Sequence, residues 1–362
     1  MFTRQTPARP LGRSFAAVAF GAVIAVSLAA CSSSGGSASS GAGTSQGSAN
    51  SGASGSAVAG GPVTVNIAQD SGTGGTPASI KIQPQAALRA ELPQRILDSG
   101  ELRIGVGALP STFPPIVYYA NDNRTIIGTD PDLARAVGAV LGVKTSFSNF
   151  TWDNMFVAID SGKVDAGFSN ITDTEQRKQK YDFAAYRQDD IAFAVKADNS
   201  LSFNASAPNP WDQLAGLTVA VGPGTNQEKI LLEFQAKLKA EGKKLTVKYF
   251  PDEPTTYQAL ASGKIDAYLE PNPSVAFEVT STAGTAQAVK NAGTYSGAGA
   301  SLQGLIAATT QKGNGLAKPI ADALNYLIQN GQYKSILDAY ADSGESVTSA
   351  EVNPPGLPLD NS

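Results

Sequence analysis

Two six-residue stretches, Ser161-Gly162-Lys163-Val164-Asp165-Ala166 and Ser262-Gly263-Lys264-Ile265-Asp266-Ala267, decide the fold. Five of their six positions are identical. In each stretch a glycine follows an apolar helix pattern and precedes a β-branched residue, which is the order of a helix cap followed by a buried strand. Such a turn is useful in many α/β proteins, so the match indicates either a common turn or a duplicated unit. Its placement favours the duplication.

Short β-branched segments alternate with amphipathic segments around both stretches, which is the order of repeated βαβ units. The first unit is predicted as strand 102–106, helix 132–141, strand 145–147, helix 152–161 and strand 164–168. The second is predicted as strand 218–221, helix 228–240, strand 245–249, helix 255–262 and strand 265–269. A strand at 305–309 and helices at 316–330 and 333–340 follow. We expect this last part to return to the first unit, which is otherwise short of covering helices.

The pattern predicts an α/β protein with two doubly wound sheets. Open sheets of this kind bind ligands at the carboxyl ends of their strands. Two such sheets facing each other form a cleft, and a chain that returns to the first lobe crosses between the lobes twice. We therefore expect a two-crossing hinge with a ligand cleft between the lobes.

Composition excludes several classes of function. The chain has 27 Lys and Arg against 31 Asp and Glu, a net charge of −4, and no basic run, so nucleic acid is not expected as a partner. It has no histidine, the commonest metal ligand and general base. Its single cysteine, Cys31, excludes an internal disulfide, a thiolate metal cluster and a cysteine nucleophile in the folded part. No metal or other cofactor is expected.

The N-terminus predicts export. Arg4, Arg9 and Arg13 precede an apolar run at 15–30, the layout of a secretory signal. The run ends Leu-Ala-Ala-Cys31, which resembles a bacterial lipobox, so residues 1–31 are predicted to be a lipoprotein signal and Cys31 the lipidated residue. A plain cleavage site, or an uncleaved anchor with an incidental cysteine, is the alternative.

Residues 32–87 are predicted to be a Gly/Ser-rich tether with an N-terminal extension. Residues 32–61 are almost all small or polar and cannot bury enough apolar surface to fold. Residues 61–87 admit either an extra strand or further tether, and the run Gly72-Thr73-Gly74-Gly75 favours tether. No second apolar run of spanning length follows the signal.

Six motifs occur in an order that resembles one protein family, over residues 88–341. As a set they are similar to the bacterial extracellular solute-binding proteins of family 3, the polar-amino-acid receptors of ATP-driven importers. The motifs lie at 127–137, 152–165, 170–177, 224–227, 263–267 and 330–333.

The resemblance implies a periplasmic-binding-protein fold of type II. It implies a first lobe at 88–189 and 300–345, a second lobe at 190–299 and a C-terminal tail at 346–362. It also implies capture of an amino acid or amino-acid-like carboxylate by a monomer and its delivery to an importer's permease and ATPase subunits. With the lipid on Cys31, the chain is expected at the outer face of the cell membrane, or at a periplasmic face if the envelope has one.

Two other functions stay open. Relatives of the family include dehydratases that act on cyclic carboxylates, in which a glutamate such as Glu270 can carry a proton. The absence of histidine and of Gly-x-Ser-x-Gly or Gly-Lys-Ser/Thr motifs argues against an enzyme. A module that senses a ligand without delivering it for transport is the second alternative.

Arg177 is the predicted carboxylate clamp. Its planar guanidinium can grip a carboxylate through two parallel hydrogen bonds, and its position resembles the clamp of the family. Asn170 and Thr172 align with further site positions. The alternative for Arg177 is a solvated side chain beside Lys178 and Lys180.

Thr225 and Asn226 open a predicted helix after Gly222-Pro223-Gly224. Free N–H groups and the helix dipole favour an anion there, so we expect both residues to bind the same carboxylate from the second lobe. Simple helix capping is the alternative and is compatible with binding.

Phe113 and Trp152 align with positions at which the family stacks aromatic rings on the ligand. Such a contact excludes water and strengthens nearby hydrogen bonds. The alternative is that either ring belongs to the core. For Asp130 and Asp132, at the start of a predicted helix, we expect capping and a favourable interaction with the helix dipole, and no ligand role.

One departure from the family pattern concerns the partner of the ligand's ammonium group. Many members carry an aspartate where this chain has Pro271, which removes a backbone donor and stiffens the cleft wall. The neighbouring Glu270 is the candidate replacement. A ligand without a standard α-amino group is the alternative.

Overall fold

The computed structural model describes residues 61–359, so the predicted signal, the lipobox at Cys31 and residues 32–60 lie outside the described residues. In chain order the strands are β1 (Val63–Ile67), β2 (Ala78–Ile82), β3 (Glu101–Leu109), β4 (Tyr118–Tyr119), β5 (Ile126–Ile127), β6 (Lys144–Thr151), β7 (Ala166–Gly167), β8 (Tyr181–Lys196), β9 (Thr218–Val221), β10 (Thr246–Lys248), β11 (Ala267–Pro271), β12 (Val289–Ser296) and β13 (Gly304–Gln311). The helices are α1 (Ala86–Ala90), α2 (Gln94–Ser99), α3 (Thr129–Val140), α4 (Trp152–Asp160), α5 (Asn226–Ala240), α6 (Glu253–Ala261), α7 (Asn272–Ser281), α8 (Ala317–Gln329) and α9 (Gln332–Ala339).

The first lobe is built on β3, β6, β7 and β13. Strand β3 pairs in parallel with β6 and β7, and β13 returns to pair antiparallel with β7. Helix α3 buries Leu133 and Val137 against one face of this sheet, and α4 buries Met155 and Ile159 in a separate cluster. The predicted βαβ order and the return of the chain to the first lobe are both confirmed.

The second lobe repeats this plan on β9, β10, β11 and β12. Strand β9 pairs in parallel with β10 and β11. Helix α5 buries Leu231 and Phe234 in one hydrophobic cluster, while Leu260 of α6 and Val275 of α7 lie in another. Helices from two clusters therefore cover this sheet, as a doubly wound fold requires.

Strand β8 joins the two lobes. It spans 16 residues, pairs with β13 as far as Asp189 and with β11 from Ile191 onward. The chain crosses back between β12 and β13. The two-lobe fold with a two-crossing hinge is thus confirmed, although β8, α7 and β12 were not predicted. Alternating strand and helix signals mark repeated units, whereas β8 carries the polar residues 187–190 at its middle and has no glycine or proline turn at which to divide it.

The tether interpretation of residues 61–87 is wrong. Strands β1 and β2 form an antiparallel hairpin in this segment. Ile67 and Ile82 are fully buried in the core of the first lobe. The glycine run is a packed turn, because a Cβ at Gly75 would lie 2.9 Å from the ring of Tyr340. The segment therefore buries apolar surface, which its glycine-rich composition did not indicate.

Candidate functional site

A cavity of about 380 Å³ lies between the lobes. Its charged lining residues are all acidic: Asp153, Asp252, Glu253 and Glu270. We call it the acidic cavity. It brings together six of the predicted site residues, namely Phe113, Trp152, Asn170, Thr225, Asn226 and Glu270. Motifs from both halves of the sequence therefore converge on one cleft.

Arg177 lines a second cavity of about 360 Å³, which also contains Lys180 and Lys229 and is called here the basic cavity. Trp152 and Thr225 line both cavities and so mark where they meet. Asp153 also lines both cavities, but cationic side chains line only the basic one. The two cavities together suit a molecule that carries charges of both signs.

The guanidinium of Arg177 is held by contacts from both lobes. Its Nη1 donates to the carbonyl of Thr172 at 2.9 Å, and its Nη2 donates to the carbonyl of Gly224 at 3.3 Å. The cation also lies 5.3 Å from the centre of each of the Trp152 and Phe156 rings. Burial lowers the pKa of Arg177 to about 10, so the side chain is still a cation at neutral pH.

Trp152 reaches across the cleft from the first turn of α4. Its indole Nε1 donates to the carbonyl of Gly224 at 3.1 Å, and its ring meets Phe156 edge-on at 5.2 Å. Gly224 has φ +73°, and a Cβ there would lie 3.4 Å from the indole. The glycine therefore permits both the backbone turn and the close approach of the ring. Phe113 lines the same cavity and packs partly buried against the first-lobe core.

Thr225 caps α5. Its hydroxyl accepts from the backbone N–H of Glu228 at 3.1 Å and donates to the carbonyl of Gly222 at 2.8 Å. The carboxylate of Glu228 in turn accepts from the backbone N–H of Gly224 at 2.7 Å. Thr225 therefore caps the helix, as the alternative prediction had it, and also lines both cavities.

Thr172 and Asn226 meet on a buried carboxylate that sequence reasoning missed. The Thr172 hydroxyl donates to Asp189 Oδ2 at 2.7 Å, and Asn226 Nδ2 donates to the same oxygen at 2.9 Å. Burial raises the pKa of Asp189 to about 6. Thr172 itself is fully buried and does not line either cavity. Asp189 thus joins a residue of the first lobe to one of the second at the hinge.

Asn170 lies at the floor of the acidic cavity with a left-handed φ of 51°. Its side-chain oxygen accepts from the fully buried Arg187, and its backbone N–H donates to Asp130. Arg187 also lies 3.4 Å from Asp342. Asn170 is therefore positioned by a buried ionic cluster rather than by its own loop.

The expected capping roles of Asp130 and Asp132 are wrong, although both residues lie in the first turn of α3, where the helix dipole favours an acidic side chain. No side chain caps the start of α3. Asp130 pairs with Arg187 instead, and Asp132 accepts from Tyr340 at 2.6 Å and from the backbone N–H of Ala68 at 2.9 Å. These aspartates anchor distant segments, which the local pattern at a helix start cannot reveal.

Glu270 is a buried member of a carboxyl pair. It is 3% exposed, accepts a hydrogen bond from Tyr257, and lies within hydrogen-bonding reach of Glu253 of α6. Burial raises the pKa of Glu270 to about 8 and raises that of Glu253 well above its ordinary value. The pair therefore holds a proton at neutral pH. Pro271 ends the same strand against Ile191 of β8.

Glu253 was missed because Asp252-Glu253-Pro254 has the pattern of an ordinary helix start. Its role depends on the packing of α6 against β11, and no local signal shows that. Within residues 61–359, His, Cys, Asp and Glu side chains form no group of three that could hold a metal ion. No helix in the same range is long and apolar enough to cross a bilayer.

The chain resembles curated proteins over about half its length. It is 32% identical over 179 residues to the L-cystine-binding protein TcyJ of Escherichia coli K12, covering 49% of this chain and 61% of TcyJ. It is 27% identical over 208 residues to the arginine-binding protein ArgT of Corynebacterium glutamicum, covering 57% of this chain and 65% of ArgT. The chain thus spans less than two thirds of each of these relatives.

Solved structures show the same fold. An ancestral arginine-binding protein bound to glutamine is 28% identical, with a TM-score of 0.55, covering 67% of this chain and 98% of that protein. The ancestral amino acid-binding protein AncCDT-1, a precursor of cyclohexadienyl dehydratase, is 25% identical, with a TM-score of 0.57, covering 68% of this chain and 98% of that protein.

The family profile matches well over half of the chain. That of the bacterial extracellular solute-binding proteins, family 3, matches residues 104–343. This range includes the second lobe, most of the first lobe, the hinge strand β8 and every residue predicted to contact a ligand. The chain belongs to family 3 of the bacterial extracellular solute-binding proteins.

Proposed function

We propose that the chain captures an amino acid or amino-acid-like carboxylate in its cleft and delivers it to an ABC importer. The observation that carries the proposal is the meeting of an acidic and a basic cavity at Trp152. A single zwitterionic molecule can place its ammonium group in the acidic cavity and its carboxylate in the basic cavity. Cystine, arginine and glutamine, which appear in the names of the relatives, all carry an ammonium and a carboxylate group.

In this proposal the carboxylate lies between Arg177 and the N-terminus of α5. Arg177 stays cationic at neutral pH, and Thr225 and Asn226 stand where free backbone N–H groups favour an anion. Trp152 and Phe113 pack on the apolar part of the ligand.

The remaining polar residues hold the ligand from the floor and the far wall. Asn170 contributes from the floor of the acidic cavity, and Thr172 acts from behind through Asp189. The ligand's ammonium group replaces the proton held by Glu253 and Glu270. Glu270 thereby takes over the task of the aspartate that Pro271 displaces.

Ligand binding shifts the hinge toward closure. A molecule that touches Arg177 on the first lobe and Thr225 and Glu270 on the second gains contacts only when the lobes approach each other. We assign residues 88–189 and 300–345 to the first lobe, 190–299 to the second and 346–362 to a C-terminal segment. The closed form is the one that the importer's permease and ATPase subunits would accept.

The proposal includes a lipid anchor on Cys31 after removal of the signal. The lipobox-like end of the apolar run and the small-residue segment that follows it support an exported monomer tethered to the membrane. Detergent-phase partitioning of the wild type, compared with Cys31→Ser, tests this part. Equal partitioning of the two into the aqueous phase would contradict the anchor.

A thermal-shift screen tests the binding function. The panel contains amino acids including L-cystine, L-arginine and L-glutamine, together with betaines, opines and simple carboxylates. A ligand at about a thousand times its dissociation constant stabilises the native state by about 4 kcal/mol. Arg177→Ala is expected to abolish the shift, and Lys180→Ala in the same cavity is the matched control. A folded protein with no hit would contradict the proposal.

One observation favours a second candidate, an enzyme similar to cyclohexadienyl dehydratases. Glu270 lies in the cleft with a pKa raised to about 8, so it is a protonated carboxyl that can donate a proton at neutral pH. AncCDT-1 is described as a precursor of such an enzyme. We propose binding without chemistry, and an assay for aromatic product from cyclohexadienyl acids separates the two. Product formation that is lost in Glu270→Gln would favour the enzyme.

A further inference from the structure

The C-terminal segment lies beyond the residues that match the family, which end at 343. It nevertheless contains buried residues between 350 and 357. Ala350 is buried in the core of the first lobe, and Leu357 is fully buried, with 0% of its surface accessible to solvent. We call residues 350–359 the strap. The proposed function does not use it.

The strap first runs along the hinge strand. Its Glu351 carbonyl accepts from the backbone N–H of Ala185, and the backbone N–H of Asn353 donates to the carbonyl of Phe183 at 3.0 Å. The side-chain oxygen of Asn353 accepts from the backbone N–H of Phe183 at 2.8 Å. These bonds fix the strap to the half of β8 that belongs to the first lobe.

The strap then pairs with the loop that leads to Arg177. The backbone N–H of Leu357 donates to the carbonyl of Asp173 at 3.2 Å, and the carbonyl of Leu357 accepts from the backbone N–H of Glu175 at 3.0 Å. Gly356 permits this approach, because a Cβ there would lie 2.4 Å from the Asp173 carbonyl oxygen. The loop that carries Arg177 is therefore held by the strap.

The end of the strap belongs to the other lobe. The Leu357 side chain is part of the hydrophobic cluster of the second lobe, with residues of α5 and β9. Lys229 of α5 donates to the carbonyls of Pro358 and, at 3.1 Å, Leu359. Opening the cleft must therefore either withdraw Leu357 from the second-lobe core or separate the strap from residues 173–175.

We propose that the strap is a latch between the lobes, with Leu357 as the positioning residue that biases the hinge toward closure and orders the Arg177 loop. Leu357 also lines the basic cavity, so the latch lies beside the ligand site. Burial of one leucine side chain is enough to shift an open–closed equilibrium by about tenfold or more. The consequence for ligand affinity rests on the proposed function, but the latch itself does not.

The test measures the distance between the lobes without any ligand. Spin labels are placed on cysteines at the exposed positions Lys163 and Lys239, in the full chain carrying Cys31→Ser, and the distance distribution is recorded by pulsed electron resonance. Leu357→Ala is expected to raise the ratio of open to closed molecules about tenfold, which appears as a larger population at longer distances. Leu357→Met is expected to restore the wild-type distribution.

Leu359→Ala is the matched control, since Leu359 lies in the same strap but is 53% exposed and should leave the distribution unchanged. If Leu357→Ala does not fold, Lys229→Met is the second variant. It removes the hydrogen bonds from α5 to the strap, at a position more exposed than Leu357, and should also lengthen the distance between the labels. Identical distributions in the wild type and a folded Leu357→Ala or Lys229→Met variant would overturn the proposal. Because no ligand is present, this outcome is independent of the binding screen.

Discussion

The indole N–H of Trp152 donates across the cleft to the backbone carbonyl of Gly224, at 3.1 Å. Trp152 opens α4 of the first lobe, and Gly224 precedes α5 of the second. The Nη2 of Arg177 donates to the same carbonyl at 3.3 Å. One backbone oxygen therefore receives both the aromatic and the cationic member of the proposed ligand site, and the position of these side chains depends on how closely the lobes approach.

Trp152→Phe should weaken ligand binding without unfolding the protein. The variant keeps an aromatic ring but loses the donor to Gly224, and a neutral hydrogen bond contributes about 0.5–1.5 kcal/mol. We expect the dissociation constant to rise about three- to tenfold, measured by calorimetry with a ligand from the screen. Trp211→Phe is the control, because its indole donates to Glu241 of the same lobe. Equal affinities in Trp152→Phe and the wild type would show that the interlobe bond has no part in binding.

The carboxyl pair should make stability fall with rising pH. Burial raises the pKa of Glu270 from 4.5 to about 8, so the native state holds this proton more tightly than the unfolded chain. The contribution of Glu270 to stability is therefore lost progressively as pH rises from about 4.5 to about 8. Glu270→Gln removes the ionisation, so its melting temperature should fall less over this range than that of the wild type.

The comparison must isolate Glu270, because burial also raises the pKa of Asp189 to about 6 and that of Asp173 to about 7. Both groups are unchanged in the variant, so the difference between the two melting profiles reports on the carboxyl pair. Glu351→Gln, at an exposed position, is the control. Parallel profiles for Glu270→Gln and the wild type would contradict the raised pKa.

The carboxylate of Asp189 should stabilise the hinge through its two donors. Asp189→Ala leaves the Thr172 hydroxyl and the Asn226 amide without their shared acceptor, and one unsatisfied buried group costs about 1–3 kcal/mol. We expect a loss of at least this size in the free energy of unfolding by urea. Asp189→Asn keeps an acceptor oxygen and should lose less. A stability loss no larger than that of Asp198→Ala, at an exposed position, would count against this role.

The N-terminal hairpin should behave as part of the first-lobe core. Ile67→Ala removes a fully buried side chain and should lower the free energy of unfolding by about 2–5 kcal/mol. Val63→Ala, on the same strand but 42% exposed, should change it by less than about 0.5 kcal/mol. Urea denaturation separates the two. Equal, small effects would mean that the hairpin does not contribute to the core.

The parts of the fold that follow from local patterns could be predicted. The repeated Ser-Gly-Lys stretches, and the alternation of apolar strands and amphipathic helices, predicted both βαβ units and the return of the chain to the first lobe. No local pattern predicted strand β8, because residues 187–190 are polar and the division of the strand between two sheets depends on which neighbours pair with each half. The hairpin at 63–82 was concealed by glycines that serve in a packed turn and not in a tether.

Some residues of the candidate site could likewise be predicted from the sequence, and others could not. Trp152, Arg177 and Thr225 were predicted as site residues from motifs next to strand ends or helix starts and from the resemblance to the family. Asp189 and Glu253 were not, since the first lies in the middle of a long strand and the second has the pattern of a helix start. Their positions follow from how the lobes and α6 pack, which is a property of tertiary structure.

The central claim is that a carboxylate-bearing ligand binds between the lobes through Arg177. Calorimetric titration of the ligand found in the screen into the wild type, Arg177→Ala and Lys180→Ala tests it most directly. The account predicts one ligand per chain, with binding lost in Arg177→Ala and retained in Lys180→Ala. Undiminished binding in a folded Arg177→Ala variant would contradict the claim and place the ligand elsewhere.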